Sequence, residues 1–255
     1  MKRMQVLLVG AALFASTILA VAATAVSPAI RAAVADTARP AADTERDANR
    51  KPAEMLAFAG VRPGMVVVDL LPGGGYFTRI FSRAVGEKGQ VYAYFSTHND
   101  ARLKEQGRDP DNQMADLKKA YSNLGVIHGP LDKFVTPQPV DLVWTSLNYH
   151  DLHNKNVGVN VADVNKAIFA SLKPGGVFVV VDHAAADNAP DDVTSSLHRI
   201  KAATVKQEVE AAGFKLVAEG HDLHFPGDDG SKRVFENDVR GKTNQFMLKF
   251  QKPRR

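Results

Sequence analysis

The chain of 255 residues contains no cysteine. That excludes disulfides, zinc–thiolate sites and thiol catalysis, and it is compatible with an oxidising compartment. Aromatic residues are sparse at 7%, with a single tryptophan. No dense run of lysine and arginine is interleaved with them, so nucleic acid is not an expected partner. The formal charge is only +4, falling to about +2 if Lys2 and Arg3 leave with a leader. No internal repeat or low-complexity tract follows the N-terminal region. What is present is ordinary for a folded domain, with 45% apolar and 24% charged residues. This suits one α/β domain with extensions.

Lys2 and Arg3 precede an uncharged stretch from Met4 to Ile30, richest in Leu, Val and Ala between Val6 and Val21. Small-residue patterns follow at Ala20-Val21-Ala22 and Ala23-Thr24-Ala25. A basic start, an apolar run and a small-residue site predict a signal peptide over residues 1–25 and export, with the periplasm as destination. The run also approaches the roughly 20 residues that a membrane span needs, so an uncleaved anchor is the alternative. Residues 26–42, Ala-rich with Pro40, read as a linker, and residues 43–255 as the folded domain.

The stretch Val66-Val67-Val68-Asp69-Leu70-Leu71-Pro72-Gly73-Gly74-Gly75 organises that domain. A β-branched run predicts a buried strand, and proline with three glycines breaks it. Phe77, Ile80, Phe81, Ala84 and Val85 then fall on one face of a helix. Strand, glycine turn and helix form the cradle for a nucleotide-type cofactor in a doubly wound α/β domain. Before it, Pro52 to Phe58 reads as a helix ended by Gly60.

Gln90 to Phe95 reads as the second strand, Val126 to His128 as a short third and Val140 to Thr145 as the fourth. A helix over Val161–Leu172 leads to the buried fifth strand, Val177 to Val181. At the end of strand two, where an acid usually meets the ribose, Tyr94-Phe95-Ser96 stand instead, and Asp100 lies several residues on. Tyr94 is the candidate contact there, with Asn99 or Asp100 as substitutes. Asp132, in the loop after strand three, is a candidate for an adenine amino group. Lys201 to Ala212 reads as a helix, Phe214 to Glu219 and Gln245 to Phe250 as a closing antiparallel pair, and residues 222–238 as a long loop.

Ligands of open α/β sheets bind beyond the carboxyl ends of the strands. Strand four ends in Asn148-Tyr149-His150-Asp151-Leu152-His153 and strand five in Asp182-His183. If these strands are neighbours, His150, Asp151, His153, Asp182 and His183 converge. His150 and Asp151 are candidates for acid–base work. Two histidines three apart on a loop are a weak metal signal, and no metal is assigned.

The chain resembles the class I S-adenosylmethionine-dependent methyltransferases, most of all a group of methyltransferases, often exported, of undetermined substrate. The stretches that carry the likeness are Arg50 to Glu54, Asp69 to Thr78, Asn148 to Asp151, Val209 to Phe214 and Arg240 to Phe246. The resemblance implies a Rossmann-like, doubly wound, seven-stranded α/β sheet whose last strand is antiparallel. It also implies S-adenosylmethionine as cofactor, with Gly73 and Gly75 close to its methionine and ribose parts. Of the family pattern acid-x-Gly-x-Gly-x-Gly, Asp69, Gly73 and Gly75 match, while Leu71 stands in place of the first glycine. The expected contacts are Asp69, Gly73, Gly74, Gly75, Tyr94, Asp132 and Asn148, with His150 or Asp151 taking a proton from a small-molecule acceptor. The alternatives are a non-catalytic binding domain of the same fold and a metal-assisted hydrolase built on His150, His153, Asp182 and His183. A nicotinamide enzyme fits least, because its glycine spacing and strand-two acid are missing.

Overall fold

The computed structural model of the protein describes residues 25–254, apart from the side chains of residues 99–102. The expected signal peptide, Ala25 excepted, lies outside the described residues. Helices α1 (Pro28–Val34), α2 (Ala41–Thr44), α3 (Asp47–Arg50) and α4 (Pro52–Ala59) precede β1 (Val66–Leu70). Then come α5 (Tyr76–Val85), β2 (Gln90–Ser96), α6 (Thr97–Glu105), α7 (Pro110–Ala120) and β3 (Leu124–Gly129). After these follow β4 (Val140–Ser146), α8 (Val161–Ser171), β5 (Leu172–His183), α9 (Val193–Ser196), α10 (Ala202–Ala211), β6 (Lys215–Gly220) and β7 (Gln245–Gln251). Short 3-10 turns occupy Leu131–Lys133 and Tyr149–His153. Among the described residues no helix is long and apolar enough to cross a membrane.

The strands form one sheet in the order β3-β2-β1-β4-β5-β7-β6. The first five are parallel, and β7 runs antiparallel to both β5 and β6. This is the seven-stranded sheet expected from the resemblance. The order reverses at β1 and β4, so their carboxyl ends open a crevice. Alternation along the strands sends side chains to two layers. Val67, Trp144 and Val179 pack with Phe77, Ile80 and Phe81 of α5 on one side. Val66, Val68, Leu70, Tyr94 and Val180 pack with α8 and α10 on the other. Burying each such side chain contributes roughly 1.5–3 kcal/mol.

Residues 26–42 are not a free linker. Ser27 caps α1 by accepting from the Ile30 amide, Pro28 begins the helix, and Ile30 and Ala33 are fully buried in the α5 layer. Arg39, 5% exposed, makes a two-point ion pair with Asp47 at 2.7 and 2.8 Å. Asp47 in turn accepts from the Tyr76 hydroxyl. Alanine richness suggested a spacer; the apolar stripe of Ile30, Ala33 and Val34 is what docks the segment.

Candidate active site

The glycine loop occupies the crevice between β1 and β4. Leu71 leaves β1 in the left-handed region, φ 59°, with its amide donating to the Tyr94 carbonyl at 2.9 Å. It therefore holds a backbone conformation that favours glycine, at the position where the family pattern carries one. Asn148 joins the two strand ends, its Nδ2 donating to the carbonyls of Leu71 (3.1 Å) and Ser146 (2.8 Å). A Cβ at Gly73 or Gly74 would meet no atom within 4 Å, so open space lies before the loop. Gly75 precedes α5 at φ 81° and has no side chain to cap it, which leaves the amides of Tyr76 and Phe77 open to an anion, while that of Thr78 is bonded to Asp69. A Cβ at Gly75 would come within 2.7 Å of Leu117 Cδ2, so this glycine is required by the approach of α7.

Asp69 supports the loop from behind. It is 3% exposed and accepts from the Thr78 hydroxyl at 2.6 Å, tying β1 to α5. Burial pushes its carboxyl up to about 6, against the opposing Thr78 bond and the Arg50 charge. Arg50 lies over the rings of Tyr76 (4.2 Å) and Phe77 (4.7 Å) and donates to Ser146 Oγ at 3.3 Å. Burial lowers its pKa. It adds a desolvated cation beside the glycine loop that the sequence reading missed. Only its place two residues before the Pro52 helix start, within the Arg50–Glu54 stretch, could have marked it.

A cavity of about 580 Å³ opens in front of the loop. Leu71, Gly73 and Asn148 line one side, Phe95 and Ser96 the end of β2, and Gln113 of α7 the rim. Tyr94 does not line it. Its side chain points into the opposite layer against Phe134, with its hydroxyl donating to the Pro130 carbonyl at 3.2 Å. Strand alternation sends Tyr94 to one layer and Phe95 to the other, and Phe95 lines the cavity together with Ser96 at the strand's end. Burial raises the Tyr94 pKa to about 12, and its role is packing. Asp132 sits half-buried in its 3-10 turn, and Leu131, not Asp132, faces the cavity. Asp69, Tyr94 and Asp132 therefore do not line the cavity, and of the other expected contacts Gly74, Gly75 and His150 do not line it either.

The far wall is polar. β4 and β5 are neighbours, as expected. Asp182, fully buried, holds His150 twice: Oδ1 lies 2.8 Å from Nδ1, and Oδ2 accepts the His150 amide at 2.8 Å. The bond at Nδ1 fixes the proton there in the neutral ring and leaves Nε2 free, 3.5 Å from Asp151 Oδ1. Burial disfavours charge on His150, but Asp182 outweighs it and the pKa is raised. Burial alone would likewise raise the Asp182 pKa, and His150 holds it low.

Of the other two predicted histidines, His183 stays beside His150, ring to ring at 5.8 Å, while His153 turns away. His153 pairs with Glu208 at 3.2 Å, and His183 is bonded to Thr243 at 2.6 Å. Burial lowers the His183 pKa to about 4, so the ring is neutral. His198 joins this group, its ring 5.4 Å from that of His150, and lines the cavity with Asp151. Its backbone is left-handed, φ 56°. The next residue explains why. Arg199 is fully buried in a two-point pair with Asp228 at 2.7 and 2.9 Å, and Ile200 bridges to β5. Those anchors force the turn at His198. No local motif in the sequence signals it.

No protein-family model matches the chain. A ubiquinone/menaquinone biosynthesis C-methyltransferase, UbiE, of Haemophilus ducreyi is 31% identical over 200 residues, covering 74% of this chain and 70% of that protein. The corresponding protein of Shewanella pealeana is 27% identical over 191 residues, covering 71% and 68%. The chain belongs to the class I S-adenosylmethionine-dependent methyltransferase family. Its fold matches that of a solved SAM-dependent methyltransferase from Aquifex aeolicus with a TM-score of 0.54 at 19% identity, covering 84% of this chain and 98% of that one. As a methyltransferase of this family the protein takes S-adenosylmethionine as its cofactor. The uncapped α5 amides, the open space over Gly73 and Gly74 and the cavity before them fit such a ligand.

Proposed function

We propose that this methyltransferase modifies a small-molecule acceptor bound in the 580 Å³ cavity, with donor and acceptor at opposite ends of it. One observation carries the reading: Leu71 and Gly73 of the glycine loop and Asp151 and His198 of the polar wall line the same cavity, at the carboxyl ends of neighbouring strands, with buried His150 behind Asp151. S-adenosylmethionine supplies an activated sulfonium methyl, so alignment does most of the catalysis. Gly73, Gly74 and the first amides of α5 hold the donor end, Arg50 adds positive charge beside it, and Asn148 sets the width of the crevice. Phe95, Ser96 and Gln113 supply the contacts that an acid at the end of β2 supplies elsewhere. The polar wall draws the proton from the acceptor's reactive group, with Asp182 positioning His150. The relatives' named reaction, C-methylation in quinone biosynthesis, supports a small acceptor.

Calorimetric titration of the mature protein with S-adenosylmethionine tests this reading. Saturable binding that weakens at least tenfold in Gly74→Val supports it, and no binding at millimolar cofactor overturns it. The basic and apolar leader supports export as part of the same reading. N-terminal sequencing of protein from the periplasmic fraction checks this, with cleavage expected near Ala22 or Ala25.

A further inference from the structure

We propose that His150, Asp151 and His198 form a site for one divalent cation of the zinc class on the cavity wall, and that the acceptor binds it through oxygen. The ligand atoms of the three residues lie within 4.8 Å of one another. They comprise two imidazoles and one carboxylate, a donor set suited to borderline divalent ions rather than Mg²⁺ or Ca²⁺.

Three independent features of the wall agree with this assignment. Asp182, fully buried, engages Nδ1 of His150, so the ring presents Nε2 to the cluster. A carboxylate behind a histidine in this way orients it for metal and raises its basicity. Second, Nδ1 of His198 is buried with no hydrogen-bond partner. Burying such a nitrogen unpaired is costly, and coordination would satisfy the ring. Third, His198 is held in a left-handed conformation by its buried neighbour Arg199. The fold thus sustains strain to keep this ring in place.

Asp151 and His198 also line the cavity, so the coordination sphere opens toward the acceptor. A site with three protein ligands and an open position is the catalytic form of a zinc centre. With the cation held, His150 and Asp151 would act on the acceptor's proton through it and not as bases: a hydroxyl bound there would have a lowered pKa and lose its proton to water through the cavity mouth. That narrows the acceptor to hydroxylated molecules whose oxygen can reach the metal. This role rests on the methyltransferase reading; binding of the cation does not. His153 and His183 are not part of the cluster, because among the described residues only the ligand atoms of His150, Asp151 and His198 fall within 4.8 Å of one another.

The test is titration of tag-free, chelator-treated full-length protein with ZnCl₂, in parallel with S-adenosylmethionine. One cation per chain is expected, with affinity falling at least tenfold in His198→Ala and in Asp151→Asn and unchanged in His153→Ala. Asp151 is partly exposed, so its variant keeps the test open if His198→Ala fails to fold. Visible absorption of the Co²⁺-loaded protein should report nitrogen and oxygen ligands and vanish in the two variants. No zinc uptake, or equal uptake by the variants, overturns the site. Cofactor binding without zinc binding overturns the metal site alone. Zinc binding without cofactor binding supports the site and overturns the reading of the cavity.

Discussion

Asp182 grips His150 at two points, ring and backbone, each at 2.8 Å. The two contacts set both the position of the imidazole and the nitrogen that carries its proton. Oδ1 also accepts the His183 amide at 2.8 Å, so Asp182→Asn, which turns one of the two accepting oxygens into a donor, sets a buried N–H against a backbone N–H in either orientation. A loss of roughly 1–3 kcal/mol is expected in urea denaturation. Nitrogen NMR of the imidazole should show the His150 pKa falling, because the carboxylate that raises it is gone. Affinity for S-adenosylmethionine should stay within about twofold, because the donor end is untouched.

Leu71 keeps the backbone of a missing glycine, at φ 59°. Ala is normally better tolerated than Gly within ordered structure by roughly 0.5–1 kcal/mol. At this position the order should invert, because left-handed backbone costs a Cβ-bearing residue roughly 1–2 kcal/mol. Leu71→Gly is expected to be about 1 kcal/mol more stable than Leu71→Ala by chemical denaturation. Equal stability of the two variants would show that the turn relaxes.

Gly74 and Gly75 are adjacent but differ in what constrains them. A Cβ at Gly74 meets nothing, whereas one at Gly75 meets Leu117 Cδ2 at 2.7 Å on a left-handed backbone. Gly74→Val should keep stability within about 1 kcal/mol and lose cofactor affinity. Gly75→Val should lower stability by roughly 2–4 kcal/mol, from strain and overpacking together. Paired melting curves and calorimetric titrations separate the two effects.

Asp69 makes stability depend on pH in a defined direction. Burial raises its carboxyl from 3.8 to about 6 in the folded protein. The folded state therefore binds the proton more tightly, and its stability falls as pH rises from about 4 to 6 and then levels off. The difference is worth up to about 3 kcal/mol. Asp69→Asn, which keeps an acceptor for Thr78, should match the parent below pH 4 and exceed it above pH 6. Denaturation midpoints across that window check the sign.

The order of strands and helices was legible because its signals are local. A β-branched run makes a buried strand, Pro72 and the glycines break it, and the Phe77–Ile80–Phe81 face can only pack inward. The same local logic marks the family pattern, the loop and the carboxyl ends of β4 and β5. Local composition misled at residues 26–42, where alanines suggested a spacer although Ile30 and Ala33 had a surface to bury.

What depends on distant contact was not legible. Alternation along β2 turns Tyr94 away, a matter of one residue's parity that the motif does not specify. His198 reaches His150 only because Arg199 and Asp228, far apart in the chain, bury their charges together. The sequence by itself determined the sheet, the glycine loop and the presence of His150 and Asp151 at its edge, since periodicity and backbone freedom act over a few residues. The tertiary structure decided which histidine joins them, which acid supports them and that Leu71 adopts a glycine's conformation, because those outcomes follow from burial and packing between remote segments.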